Sequence, residues 1–430
     1  MSITRPLQVL LTATFACVAS TGGASGYPPT VTIAAACTSQ AWSTPYALRT
    51  TDSGFAYLGY PRAVRTARGL ALFGAAAVFQ ILRDTVLFLA GGPPDALAGV
   101  MVREAGTVAP IALPPGTTSF RAPLALAGSR GTARVLWGNS TDTARARRDS
   151  AALWTSAFDG STWTTPRRIP GSDRARWNPV VPGAAPRPDG MVVALLLRGD
   201  STLIVAVPDS GAPERLSALQ VGGAYTRVAG LGDSTLVLAY VGSHPGPGQS
   251  EHSSVFSRQS RDAGRTWSPF VRIHHSIAGS SAHWPQLLVS RDRTLYLVWA
   301  QEFRDDPDSV LAVQSADSGR SWRRLPGLSL TGDVQALAGA ADGDGRIHVA
   351  IVATDSGQDS SILSVNTWRG PSWFVELRVR DVSEPISIAA VTDDTIYATW
   401  TTVHRIRDWQ IPTTSAATLT LCHPSPSPGL

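Results

Sequence analysis

Two octets constrain this chain more than any other stretch. Ser260-Arg261-Asp262-Ala263-Gly264-Arg265-Thr266-Trp267 and Ser315-Ala316-Asp317-Ser318-Gly319-Arg320-Ser321-Trp322 share the pattern Ser-x-Asp-x-Gly-x-Thr/Ser-Trp, and their tryptophans lie 55 residues apart. Each follows an apolar run, Val255-Phe256 in the first case and Val310–Val313 in the second. Such a run followed by Asp and Gly predicts a strand entering a tight hairpin. An Asp carboxylate accepts hydrogen bonds from backbone N–H groups shortly downstream, and Gly takes a positive φ without steric cost. The Trp then opens the next strand and buries a large ring between layers.

The pattern continues more faintly. Ser156–Trp163 keeps Ser, Gly, Thr and Trp with its Asp displaced by one position, and Asn366–Trp373 keeps Gly, Ser and Trp without the Asp. Asp209-Ser210-Gly211 leads to Glu214 and Glu104-Ala105-Gly106 to Ala109 at the Trp position, so successive copies fall 51 to 55 residues apart. Short strands at a period of about 50 residues predict propeller blades. First strands are expected at Leu70–Ala77, Ala122–Ala127, Val180–Ala185, Thr226–Leu231, Pro285–Ser290, Val334–Ala340 and Ile386–Val391. The expectation is an all-β, single β-propeller of four-stranded blades, seven favoured over six. The seventh unit offers only three strands, which leaves Val31–Ala36 to supply the fourth.

The octets resemble the Asp-box, or bacterial neuraminidase repeat, of sialidases and other β-propellers. That resemblance makes Asp262, Gly264, Trp267, Asp317, Gly319 and Trp322 structural residues, on the face opposite the usual binding face. It does not carry the sialidase active site, which needs an arginine triad on a carboxylate, a Tyr–Glu nucleophile pair and an Asp acid/base. The family places its first triad arginine in Phe/Tyr-Arg-Ile-Pro. Tyr60-Pro61-Arg62-Ala63 has that order wrong, and Arg167-Arg168-Ile169-Pro170 follows a box and reads as a fourth strand. Asp84, Tyr225 and Arg227 stand at plausible positions but in no motif. Sialidases also have six blades.

The ends and the composition add context. Leu7–Ala19 after Arg5, leading into the small residues Ser20–Gly26, reads as a secretory signal peptide over residues 1–24. Residues 27–422 are assigned to the propeller and the Pro/Ser-rich 423–430 to a disordered tail. Export leaves two cysteines, Cys37 and Cys422, expected to bond across the ring closure. The net charge of +5 comes from 37 basic residues, all of them Arg. They are scattered rather than striped, so nucleic acid is not the expected partner. Without Lys, Schiff-base chemistry is excluded. No cofactor or metal motif occurs, and a monomer is expected.

Three long loops, Gly138–Ser150, Gly242–Ser254 and Val403–Ala416, are expected on the face opposite the boxes. Five of the eight histidines fall between His244 and His283. The expected ligand site lies there near blades four and five, formed by His252, His283, Trp284, Glu302 and Arg304. Rings and charged hydrogen-bonding groups around a cleft suit a polar ligand such as a glycan. The sequence reading is therefore a secreted or periplasmic, non-catalytic glycan- or protein-binding propeller. The alternative is a divergent, sialidase-like glycoside hydrolase.

Overall fold

In the computed structural model, the described residues are 41–421 except 51–54, 83–84, 89–96, 104–105, 115–118, 128–130, 140–151, 175–182, 188, 198–200, 222, 233, 243–252, 278, 331, 355–359 and 407–408. They form seven sheets in sequence order, antiparallel but for the pairing of Arg49–Thr50 with Thr107–Pro110 in blade one, a seven-bladed β-propeller. The inner strands are Phe55–Thr66, Ser119–Ala127, Gly183–Arg187, Gly223–Gly230, Ser280–Val289, Val334–Ala341 and Val382–Thr392. Each packs beside the next, and the seventh packs against the first, so the ring is closed.

Second strands are the most buried, because they are covered on both faces by neighbouring blades. Leu236–Gly242 is buried throughout, and Ile347–Thr354 over its first six residues. This explains their continuous apolar runs, in contrast to the alternating burial of outer strands such as Glu214–Gln220. Apolar side chains from adjacent blades fill the spaces between sheets, and each junction has its own core.

The count of seven matches the sequence expectation, but two strand assignments change. Leu70–Ala77 belongs to the second strand of blade one (Gly69–Leu82), because Phe55–Thr66 pairs with it on the inside. Among the described residues the fourth strand of blade seven is Tyr46–Ala47; Val31–Ala36, expected in that place, lies outside them. Tyr46–Ala47 pairs with Trp409–Thr420 in the register Tyr46↔Ala416, supported by a bridge from Trp42 to Leu419. The seventh-blade segment Val403–Ala416, expected as a loop, is mostly hairpin: Thr395–Ile406 pairs continuously with Trp409–Thr420. Polar β-branched residues favour extended backbone here. Cys37, Cys422, the leader and the tail lie outside the described residues.

Both full octets form the expected turn. Asp262 accepts from the Thr266 N–H at 2.8 Å and from the Thr266 hydroxyl at 2.6 Å, and Ser260 Oγ accepts from the Gly264 N–H at 2.8 Å. Asp317 repeats this with the N–H groups of Arg320 and Ser321 at 3.0 and 2.9 Å. Gly264 and Gly319 have φ of +96° and +85°, and a Cβ on either would press within 3.1 Å of the preceding blade's side chains. These bonds hold the Asp262 carboxyl at about 2, the Thr266 hydroxyl and N–H contributing most.

The box tryptophans are half-buried rather than sunk in the core, and their role is to join blades. Trp267 Nε1 donates to Ser217 Oγ of blade three at 3.1 Å, and Trp322 Nε1 to Ser257 Oγ of blade four at 3.1 Å. Trp163 reaches the carbonyl of Ala112 beyond blade one at 2.6 Å, and Trp373 that of Pro326 in blade five at 2.8 Å. Each indole keeps one edge at the surface because its N–H must meet a polar group on the neighbouring blade.

Candidate functional site

The face opposite the boxes is shaped by irregularities in the inner strands. Six of the seven slip register, between Gly59/Arg62, Phe120/Leu124, Gly223/Tyr225, His283/Gln286, Val334/Ala336 and Ser383/Ser387. Four of these slips contain a proline: Pro61, Pro123, Pro285 and Pro385. Proline has no N–H to give the ladder, so the strand opens there, and a bulge re-aims the side chains beside it.

Arg62 lies in the first bulge and Arg227 two residues beyond the Tyr225 slip of blade four, on the far side of the ring. The positive charge of Arg62 acts on Arg227. Burial lowers both to about 10, and for Arg227 the charge of Arg62 lowers it further while Tyr225 opposes this. Both keep partial contact with solvent. The Arg62 Nε is buried and makes no hydrogen bond among the described residues.

A chain of polar groups leads outward. The Tyr225 ring meets the edge of His283, with centroids 6.1 Å apart and planes at 83°. His283 Nε2 lies 2.9 Å from Glu302 Oε2, and its ring lies 5.6 Å from that of Trp284. Trp284 has a φ of +47°, rare for a bulky residue, and its carbonyl is held by Gln286 Nε2 at 3.2 Å. A ring kept in this backbone region is over-determined by its surroundings, as happens at ligand sites.

Beyond it opens a cleft of about 990 Å³, lined by Trp284, Glu302, Arg304, Asp305, Asp306, Asp308 and Asp333. The cleft lies between blades five and six, one junction further round than expected. Its carboxylates are not equivalent. Asp308 is buried and bridges the blades, accepting from the N–H of Phe303 at 3.2 Å and of Val334 at 2.7 Å. Burial lifts its carboxyl above the ordinary range despite those bonds, which marks it as a structural clip. Glu302 is exposed and available to a ligand.

Of the residues expected at the site, Trp284, Glu302 and Arg304 line one cleft and His283 pairs with Glu302. His252, like His244, Glu251 and Asp84, lies outside the described residues. Sequence reasoning set Arg62, Tyr225 and Arg227 aside because no motif contained them. The bulge prolines were the missed signal, since Pro61 adjoins the desolvated Arg62 and Pro285 adjoins Trp284, which lines the cleft. Among the described residues, no three His, Cys, Asp or Glu side chains gather as a metal centre.

No family model matches the chain, and no curated protein matches it in sequence. Solved structures do resemble it. A protein of unknown function from Dyadobacter fermentans is 11% identical with a TM-score of 0.50, over 89% of this chain and 99% of that one. An ulvan lyase of a polysaccharide lyase family, bound to -[GlcA(1-4)Rha3S]-, is 9% identical with a TM-score of 0.51, over 86% and 95%. A Hadza microbial sialidase is 14% identical with a TM-score of 0.44, over 88% and 68%. At these identities the likeness is one of fold.

Proposed function

We propose that this protein is an exported propeller that binds an acidic glycan on the face opposite its Asp-boxes. The observation that carries the reading is a pair of desolvated arginines, Arg62 and Arg227, contributed by the inner strands of blades one and four, with the charge of the first acting on the second. Two desolvated guanidinium groups repel, and a carboxylate or sulfate between them would relieve that repulsion with charge-assisted hydrogen bonds. Trp284 offers a platform for a sugar ring, and Glu302 and Arg304 offer directional hydrogen bonds to its hydroxyls. Calorimetry with uronate- and sialate-bearing oligosaccharides should show binding that their methyl esters lack. Arg227→Ala should weaken it by about tenfold or more. Equal affinity for acid and ester would refute the reading.

A cleaving enzyme is the second reading, favoured by the array in which the half-buried Tyr225 ring packs on His283 and His283 pairs with the exposed carboxylate of Glu302, a set of groups suited to acid–base chemistry. Fluorogenic sialosides and uronates separate the two, since turnover abolished by His283→Ala would establish catalysis. Export and the Cys37–Cys422 bond belong to the same proposal. Cys37 precedes Trp42 by five residues and Cys422 follows Leu419 by three, so the chain on either side of this antiparallel bridge leads to one cysteine. Mass mapping without reductant should find them joined, and two free thiols would remove this part.

A further inference from the structure

The same blade junction carries a second cleft on the opposite, box-bearing face. It has a volume of about 710 Å³ and is lined by Arg323, Arg324, Arg346, Arg369, Tyr296 and Trp368, with Asp344 as its single acid. The sequence explains why it occurs here. Aligned on its Trp, the blade-six copy Asn366–Trp373 places Trp368 where the full box has Asp262, and Arg369 where it has Ala263. In blades four and five the Asp turns inward on its own backbone. In blade six the turn is held by Arg369 N–H to the Ser372 carbonyl at 3.1 Å and by Trp368 packing on Trp373 at 5.4 Å. The two exchanged positions line the cleft.

Three of the four arginines, Arg323, Arg346 and Arg369, are braced from behind. With its amide carbonyl turned toward Arg323, Gln314 accepts from Nη2 and Nε at 2.6 and 3.3 Å. Arg346 pairs with Asp344 at 3.1 Å, and its backbone N–H is fixed by Asp342 Oδ1 at 2.8 Å. Asp342 is itself locked by the buried His348 at 2.9 Å, whose other nitrogen meets Thr367 at 2.8 Å. That Asp–His–Thr row resembles a nucleophilic triad, but all three residues are buried, and here it anchors the turn. Arg369 pairs with Glu376 and lies over Phe374. Tyr296 and Gln314 are register partners on one face of blade five, so the phenol and Arg323 form one wall while blade six forms the other.

We infer that this cleft is a second binding site, specific for an acidic saccharide unit, on the face that in a propeller of this kind is given over to turns. Guanidinium groups held in fixed directions suit a planar carboxylate or a sulfate, and Tyr296 and Trp368 suit the apolar faces of a sugar ring. The site does not depend on the channel-face reading, and the two fail separately. The probe is a sulfated uronate hexasaccharide titrated by calorimetry into the full chain carrying both Arg62→Ala and Arg227→Ala, which removes the two channel guanidinium groups. Binding should persist there and weaken about tenfold on adding Arg323→Gln, and again on adding Arg346→Gln. An unchanged melting temperature keeps folding out of the comparison. A folded Arg323→Gln/Arg346→Gln variant that binds as before overturns the site. Inorganic sulfate binding as tightly as the hexasaccharide overturns the saccharide class, as does oligo-glutamate binding more tightly.

Discussion

Two clefts meet at the junction of blades five and six, one on each face, and they have opposite character. The channel-face cleft is acidic, with Glu302, Asp305, Asp306, Asp308 and Asp333 against Arg304. The box-face cleft is basic, with arginines against Asp344 alone. Both are made from the same two sheets, so sheet packing does not set the difference. The channel-face connection of blade five also closes a hairpin, Leu295–Phe303 with Ser309–Ser315, but its tip carries charge at the exposed residues Arg304, Asp305 and Asp306. On the box face the turns are used by the fold. In blades four and five the box Asp is fully engaged, Asp317 accepting from two backbone N–H groups and two hydroxyls. In blade six the turn has no Asp, and its Trp368 and Arg369 line the basic cleft beside Arg323 and Arg324 of blade five.

The sharpest way to break this comparison is to remove a box tryptophan from an intact blade. Trp267→Ala should cost about 3 kcal/mol in chemical denaturation, the low end for a large aromatic because the ring is half-buried. Trp373→Ala in the decayed copy should cost as much, since it makes the same kind of bond to the blade before it, at Pro326. A loss below about 1 kcal/mol at both would show that these indoles do not staple blades. On the channel face, Asp308→Ala orphans the N–H groups of Phe303 and Val334 and should cost about 2 kcal/mol. Asp305→Asn, at the exposed rim, should leave stability unaltered. Equal effects at both positions would mean the acidic cleft has no structural member.

Binding gives a finer test. Removing two rim charges with Asp305→Asn and Asp306→Asn should strengthen channel-face binding of an acidic oligosaccharide about two- to fivefold at low salt, because exposed charges act weakly and are screened. The box-face cleft should not respond. A parallel gain at both sites would indicate a change in overall charge rather than in the cleft.

What the sequence revealed follows from which forces are local. The boxes of blades four and five are legible because Ser, Asp, Gly and Trp satisfy one another within eight residues. Seven blades follow from the spacing even where a copy has faded to Asp209 and Gly211. Asp209 still serves there by taking Arg134 of the neighbouring blade at 2.5 Å. The closing strand Tyr46–Ala47 was missed because it is two residues long and gains its identity from a partner more than 360 positions away. Arg62 and Arg227 stayed hidden for the same reason, as the action of one charge on the other is a property of the ring. Trp284 and Glu302 were legible as neighbours in sequence of charged loops, but the blade junction they face was not.

The smallest expected effect concerns acid. The carboxyls of Asp159, Asp262 and Asp317 all lie below the ordinary value. For Asp159 the N–H groups of Thr162 and Ser161 are the main cause; for Asp317 burial pushes upward and the Ser321 hydroxyl and N–H overcome it. A carboxyl lowered in the folded state contributes stability above its unfolded value, near 4, and loses it as pH falls through the folded one. For Asp262 that window runs from about 4 down to about 2. The decayed turn of blade six has no such carboxylate and contributes nothing to this limb. Replacing all three aspartates by Asn should lower stability at neutral pH and flatten its dependence between those limits. Because these turns are exposed to solvent, the change in slope should be modest. A variant whose stability keeps the full wild-type slope over that interval would place the acid sensitivity elsewhere, with the buried Asp342–His348 pair as the next group to replace.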